Sequence, residues 1–167
     1  MTNKLIVLAH SDYENSKANK ALAKAVEVGG VEVHNLNQKY PDAHFDVTAE
    51  QAKLESANEI IFQFPMNWFS TPWIFKKYLD EVFTYGWAYG SAYKLEGKHV
   101  KLAITAGVNK AGYDSGLSVA DALKWLKVTL AYCRLDFKDE IFVVYGTMGL
   151  KDEELAVKAK EYVKFIG

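Results

Sequence analysis

The sequence predicts an α/β fold in which five parallel strands form one sheet with helices on both faces. Three observations carry that prediction. Short apolar runs alternate with stretches of helical periodicity along the chain. The three prolines and eleven glycines fall mostly at the junctions between those stretches. The 167 residues contain no internal repeat, low-complexity tract or linker, which suits one domain over residues 1–167.

Residues 5–9 read as a strand buried on both faces, because their apolar side chains run without alternation. Ala18, Ala21, Leu22, Ala25 and Val26 then recur at helical spacing, and Gly29-Gly30 stops that helix. Residues 31–36 form a second strand, alternating and less buried. A polar stretch containing Tyr40-Pro41-Asp42 leads to a short helix over 48–56. Residues 59–64 are a third strand, halted by Pro65. Thr71-Pro72 predicts a helix start, a cap followed by proline at the first helical position, and Ile74, Phe75, Tyr78, Leu79, Val82 and Phe83 carry its apolar face. Residues 99–105 are the fourth strand. Ser118 and Asp121 resemble a capping box for a helix over 118–132. Residues 140–145 are the fifth strand, and 152–165 a closing helix with acids in its first turn. Strands and helices in strict alternation require crossover connections and hence a parallel sheet. Five strands fit the flavodoxin-like doubly wound arrangement, whose ligands sit at the carboxyl ends of the strands near the topological switch point. That rule singles out segments 10–19, 65–71 and 105–114.

Half the residues are apolar and a quarter charged, the composition of a folded chain. A net charge of −1 gives no basic excess for nucleic acid or for an anionic membrane surface. No apolar run approaches the roughly 20 residues that span a bilayer. The first apolar run meets His10-Ser11-Asp12 at once, so a signal peptide is a poor reading. The single cysteine, Cys133, excludes an intramolecular disulfide and a cysteine-rich metal site. His34, His44 and His99 show no metal spacing, and no metal is expected. The expected location is the cytoplasm.

The first strand-end segment gathers hydroxyls and amides where helix N–H groups attract an anion. Ser16, Lys17 and the N–H groups of Ala18 and Asn19 could hold a phosphate; the plainer reading is a helix start capped by Ser16. No glycine-rich nucleotide fingerprint is present. The second segment, Pro65-Met66-Asn67-Trp68-Phe69, places large apolar side chains where a loop is normally polar. A flat conjugated ligand would stack on them, although packing on the core or on a second subunit would also explain them. In the third, Thr105-Ala106-Gly107-Val108, Gly107 lets the backbone approach a ligand. Tyr113 beyond it could donate to developing negative charge, or be a surface residue of a flexible loop. A fourth stretch, 85–93, is aromatic and glycine-rich, and composition does not separate a lid from a packed interface. Cys133 continues the stripe Val119, Leu123, Leu126, Leu130 and reads as core. Trp125, Val128 and Tyr132 lie on the opposite side of that helix, which predicts a homodimer contact.

Together Ala9-His10, residues 16–19, Tyr40-Pro41-Asp42, Pro65-Met66-Asn67-Trp68, residues 83–90 and Gly97-Lys98-His99 resemble the NAD(P)H:quinone oxidoreductase family. They are most similar to its short bacterial branch, the ancillary oxidoreductases of the glutathione-gated potassium efflux systems. The matches run in family order across residues 1–110. The resemblance implies a homodimer with one flavin per subunit. By position, His10, Ser16, Lys17, Ala18 and Asn19 would hold the flavin phosphate end. Pro65, Met66, Asn67, Trp68 and Phe69 would border the ring, and Thr105, Ala106, Gly107 and Val108 its pyrimidine edge. Gly107 and Tyr113 would be the catalytic pair, and Tyr89 with Trp68 would line the acceptor pocket. Thr-Ala-Gly-Val replaces the usual Thr-Thr-Gly-Gly, and the histidine that long members place after the tyrosine has no counterpart. The long members' C-terminal extension is also absent, which implies FMN rather than FAD. The implied reaction is a ping-pong cycle from NAD(P)H through flavin to a quinone-type acceptor. Backbone N–H groups of residues 106–108 and the Tyr113 hydroxyl would steady negative charge on the reduced flavin.

Three other classes compete. A phosphoacceptor switch needs an aspartate at the end of the third strand, where Phe64-Pro65 stands. A one-electron carrier of flavodoxin type is normally strongly acidic. A regulatory subunit of a potassium efflux transporter would use flavin mainly for structure and would sit at the inner face of the membrane through its partner.

Overall fold

The computed structural model describes residues 3–114 and 116–167. The chain opens with β1 (Lys4–Leu8), a 3-10 turn at Tyr13–Asn15, and α1 (Lys17–Glu27). Then come β2 (Glu32–Asn35), α2 (Leu36–Lys39), α3 (Val47–Ser56), β3 (Glu59–Pro65) and α4 (Trp73–Val82). After β4 (His99–Thr105) follow α5 (Lys110–Asp114), α6 (Val119–Ala122), α7 (Lys124–Tyr132), β5 (Asp136–Val144) and α8 (Asp152–Ile166). The strands form one parallel sheet in the order β2-β1-β3-β4-β5, the doubly wound arrangement expected. The order reverses between β1 and β3, so the loops leaving those strands diverge and leave a crevice at their carboxyl ends.

Alternate side chains of each strand feed two cores. Leu5, Val7, Ile60, Phe62 and Phe64 face one side, with Leu54 of α3, Phe75 and Tyr78 of α4, and Leu126 and Leu130 of α7. Ile6, Leu8 and Ile61 face the other, against Leu22 and Val26 of α1 and Tyr162 and Ile166 of α8. Cys133 is buried with the first group, as its place in the stripe predicts.

Four departures from the sequence pattern have physical causes. The helix expected over 118–132 breaks at Leu123 (φ −99°, ψ 12°) into α6 and α7, and no proline or glycine marks the break. The Ser118 cap is present: its hydroxyl accepts from the Asp121 N–H at 3.0 Å and donates to the Asp121 carboxylate at 2.6 Å. Pro72 is the capping residue rather than the first helical one, so α4 starts at Trp73. Strand β5 begins at Asp136, earlier than expected, because a bulge opposite Val100–Leu102 absorbs extra residues in a charged stretch. Within 85–93 the aromatic stretch divides: Trp87 and Ala88 enter the core while Tyr85 points outward. Gly90 (φ 85°) permits this, since a Cβ there would lie 2.3 Å from the Tyr85 ring.

Candidate functional site

A cleft of about 480 Å³ opens at the carboxyl ends of β1, β3 and β4. The loop after β1 contributes His10 and residues 15–19, the loop after β3 contributes Pro65, Met66 and Asn67, and β4 ends into it with Thr105 and Gly107. These are the three segments the strand-end rule singles out. A larger hollow of about 720 Å³ lies at the opposite edge of the sheet, where α1 and α8 end. Helix C-termini present carbonyls, and the Lys4 ammonium there already donates to the carbonyls of Ile166 and Gly167. The smaller cleft instead takes in the start of α1, where helix N–H groups are presented.

Ser16 is the cap of α1, its Oγ accepting from the Asn19 N–H at 3.3 Å, and it lines the cleft as well. The helix-start reading of this residue therefore holds, and its place in the lining is compatible with the other. The Asn19 N–H is taken up by that cap, so the N–H groups open to a ligand at this helix start belong to earlier residues. Exposed Lys17 adds a cation at the same point.

His10 is half-buried, and its backbone N–H donates to Asn37 Oδ1 at 2.9 Å. Its ring Nδ1 accepts from the Asp12 N–H at 2.9 Å, which puts the ring proton on Nε2. Burial pulls the His10 pKa below its ordinary value against the opposing charge of Asp12. Near pH 7 the ring is neutral and offers one N–H.

Asn67 and Ser70 exchange backbone hydrogen bonds at 2.9 and 3.0 Å, closing a two-residue turn with Trp68 (φ 50°) and Phe69 (φ 59°) at its tip. Bulky residues rarely hold positive φ, so this tip carries backbone strain. Trp68 is 95% exposed, and Phe69 half exposed. Asn67 Nδ2 donates to Ser11 Oγ at 2.8 Å, tying the tip to the first loop. Behind Phe69 the Tyr113 ring packs edge-on at 5.7 Å and then meets Tyr145 at the same distance.

Several expectations need correction. Tyr113 is buried, not a surface residue, and stands behind Phe69 rather than on the cleft wall. Burial first, then the Tyr145 hydroxyl, push its pKa up, so it stays protonated. Ala106 is fully buried and its N–H donates to Val144 O at 2.8 Å, which removes it from the expected donors. The N–H groups of Gly107 and Val108 have no partner among the described residues. Gly107 does not hold a positive φ, and a Cβ there would lie 3.1 Å from Sδ of Met148, an exposed side chain free to move aside. Tyr89 is remote from this cleft and lines a separate groove between α4 and α7, its ring 5.4 Å from Tyr132.

Thr147, Met148 and Leu150 also line the cleft and were not anticipated. The Thr147 N–H donates to Ala106 O at 3.0 Å, binding the loop after β5 to the end of β4. The signal was present, since Gly146-Thr147-Met148-Gly149 follows the fifth strand's carboxyl end.

The topology, the crevice at its reversal and the loops around it define a flavodoxin-like α/β protein. The sequence matches the flavodoxin-like fold family over residues 2–166, and the chain belongs to that family. It is 38% identical to the glutathione-regulated potassium-efflux system ancillary protein KefF of Enterobacter sp. (strain 638), over 95% of this chain and 92% of that one. It is 33% identical to the uncharacterized NAD(P)H oxidoreductase YrkL of Bacillus subtilis (strain 168), over 97% and 96%. Among solved structures, general stress protein 14 of Treponema denticola in complex with FMN superposes with a TM-score of 0.90 at 33% identity, covering 98% of this chain and 97% of that one. An NADPH-quinone reductase from P. pentosaceus superposes at 0.87 and 25%, covering 99% and 98%. A thermophilic tryptophan halogenase from Streptomycin violaceusniger superposes at 0.91 and 32%, covering 97% of both. The names differ in chemistry while the fold is shared, so the activity has to be argued from the site.

Proposed function

We propose that the protein is an FMN-dependent oxidoreductase that carries a hydride from NAD(P)H to a quinone-type acceptor. The observation that supports this best is one cleft lined by an anion-type helix start and by Gly107, whose N–H has no partner among the described residues, with the strained Trp68-Phe69 tip following its lining residue Asn67. The residues fit FMN. The Ser16 hydroxyl, the Lys17 ammonium and the first N–H groups of α1, including that of Ala18, suit a phosphate, which only accepts. The His10 Nε2–H, which points its proton away from Asp12, adds a further donor on the same side, and Asn19 and Thr105 form the floor. Pro65, Met66, Asn67, Trp68 and Phe69 border the flat ring, and the N–H groups of Gly107 and Val108 meet its pyrimidine edge.

Bound there, FMN would supply the redox chemistry, taking a hydride from NAD(P)H and passing it on. The chain's own residues bind, orient and shield. Trp68, held outside the core, offers a face for the nicotinamide or the acceptor. The Gly107 and Val108 N–H groups would be the donors where negative charge develops, while Tyr113, kept protonated by burial, would act through the Phe69 ring it packs against. FMN rather than FAD is supported by the likeness to general stress protein 14, whose structure is a complex with FMN.

A homodimer belongs to the same proposal. Val128 is 69% and Tyr132 62% exposed on the outer side of α7, beside the groove holding Tyr89. A second copy seated there would bury them and bring the partner subunit's aromatic groove toward the ring site. In such a dimer Tyr89 would stand at the partner's acceptor pocket, the place the family resemblance implies for it. A second reading, a regulatory subunit of a potassium efflux transporter, is supported by the likeness to an ancillary protein of such a system. No described helix is long and apolar enough to cross a membrane, so attachment would run through the partner.

The test is anaerobic mixing of the FMN-loaded protein with NADH or NADPH, followed by a quinone. Bleaching of the flavin band by nucleotide and its return on quinone addition are expected. A flavin band that neither nucleotide bleaches would favour the regulatory reading.

A further inference from the structure

Asn19 of the cleft floor continues below it into Gln63 and Tyr162, a buried polar pair that neither the sequence pattern nor the proposed reaction uses. The three residues come from α1, β3 and α8, and all are essentially inaccessible. Gln63 Nε2 lies 3.2 Å from both the backbone O and the side-chain Oδ1 of Asn19. The Tyr162 hydroxyl lies 2.9 Å from Gln63 Oε1. Asn19 Nδ2 reaches Thr105 Oγ1 at 2.8 Å and Ser16 Oγ at 3.3 Å.

The direction of every bond in this chain is determined. A backbone carbonyl only accepts, so the Gln63 amide must face Asn19 with its NH₂. Its carbonyl oxygen then faces Tyr162, and the Tyr162 hydroxyl must donate. Burial drives the Tyr162 pKa far upward, so that proton stays in place. Asn19 in turn presents Oδ1 to Gln63 and its NH₂ to the two hydroxyls. Ser16 Oγ accepts from this NH₂ and from the Asn19 backbone N–H, which uses both its lone pairs. The Ser16 proton is left to donate elsewhere, whereas Thr105 Oγ1, which accepts once from Asn19, keeps a proton and a second lone pair.

We infer that Gln63, turned by the Asn19 carbonyl and held in that turn by the Tyr162 hydroxyl, is a positioning residue that leaves Ser16 as a donor, and so makes the cleft select a ligand group that only accepts, such as a phosphate. This rests on the flavin reading and deepens it. Selectivity at the cleft is set by a helix that does not line it, through one strand residue. A merely structural role for the chain would stabilise the fold without discriminating between ligands.

The probes are FMN and riboflavin, which differ by the phosphate. Apoprotein is titrated with each by flavin fluorescence, and its thermal unfolding is recorded alongside. Tyr162→Phe removes the first donor. The double variant Gln63→Met with Tyr162→Phe removes both far partners and leaves Asn19 Oδ1 without its donor, so its cooperative unfolding is checked in the same melts. The expected result is an FMN-over-riboflavin preference reduced about tenfold in the double variant and less in Tyr162→Phe, with cooperative unfolding in both. An unchanged preference in both variants, or equal weakening of the two ligands with lowered melting temperature, would overturn the inference. A wild type that binds neither flavin would instead remove the flavin reading beneath it.

Discussion

Trp68 and Phe69 hold a backbone conformation that glycine adopts freely and bulky side chains resist. Trp68 recovers almost nothing by burial, being 95% exposed, so its retention there costs stability that only a ligand would return. Trp68→Gly should therefore raise stability by about 1 kcal/mol, or about 2–4 °C in melting temperature, while slowing flavin reduction by NAD(P)H. A scanning melt and stopped-flow reduction measure the two effects; a lower melting temperature would show that the strain argument is wrong. Glu50 is the opposite case, a buried carboxylate fully satisfied. Tyr40 and Tyr78 hydroxyls donate to it at 2.7 and 3.1 Å, and His34 Nε2 lies 2.9 Å from both its oxygens. Burial alone would raise its pKa, but the hydrogen bonds from His34, Tyr40 and Tyr78 outweigh it and hold the value below the ordinary one. A depressed folded pKa means that the contribution is present above the unfolded value and lost as pH falls through the folded one. Glu50→Gln should cost about 2 kcal/mol in urea unfolding at pH 7, and the gap to wild type should narrow as the pH falls below 4. At this scale His10, Ser16 and Asn67 were legible because they stand where a strand ends. The pairings Gln63–Tyr162 and Glu50–His34 were not, because they join residues that only the sheet order and helix packing bring together.

The helix over 118–132 shows both the reach and the limit of periodicity. The stripe Val119, Leu123, Leu126, Leu130 and Cys133 is buried as the spacing requires. The break at Leu123 has no local signal, and the opposite face is only partly as expected. Trp125 is half-buried against the core, whereas Val128 and Tyr132 stay exposed. Val128→Glu is thus the sharper test of the dimer: it should fold as well as wild type and sediment as a monomer, with quinone turnover lost or severely reduced. A wild type that sediments as a monomer and turns over at full rate would remove the dimer from the proposal. Strand β5 was read too short because its first half, Asp136-Phe137-Lys138-Asp139-Glu140, looks like a loop. It is an edge strand, where charge and a bulge discourage pairing with another sheet.

Across the whole molecule, strand count and parallel pairing followed from the order of apolar runs, because crossover rules leave few arrangements open, and a cleft lies at the strand ends singled out as the candidate site. The fourth wall of the cleft, Thr147 and Met148, was missed although the same strand-end rule reaches it. The central claim is that this cleft holds FMN by its phosphate at the start of α1. Titration of the apoprotein with FMN, wild type beside Ser16→Asp, tests it most directly. Aspartate caps a helix as well as serine does, so the fold is kept, but its carboxylate would face the phosphate. The account predicts saturable binding of one FMN per chain in the wild type and affinity lowered at least about a hundredfold in Ser16→Asp. Absence of saturable FMN binding in the wild type, or equal affinity in the variant, would contradict it.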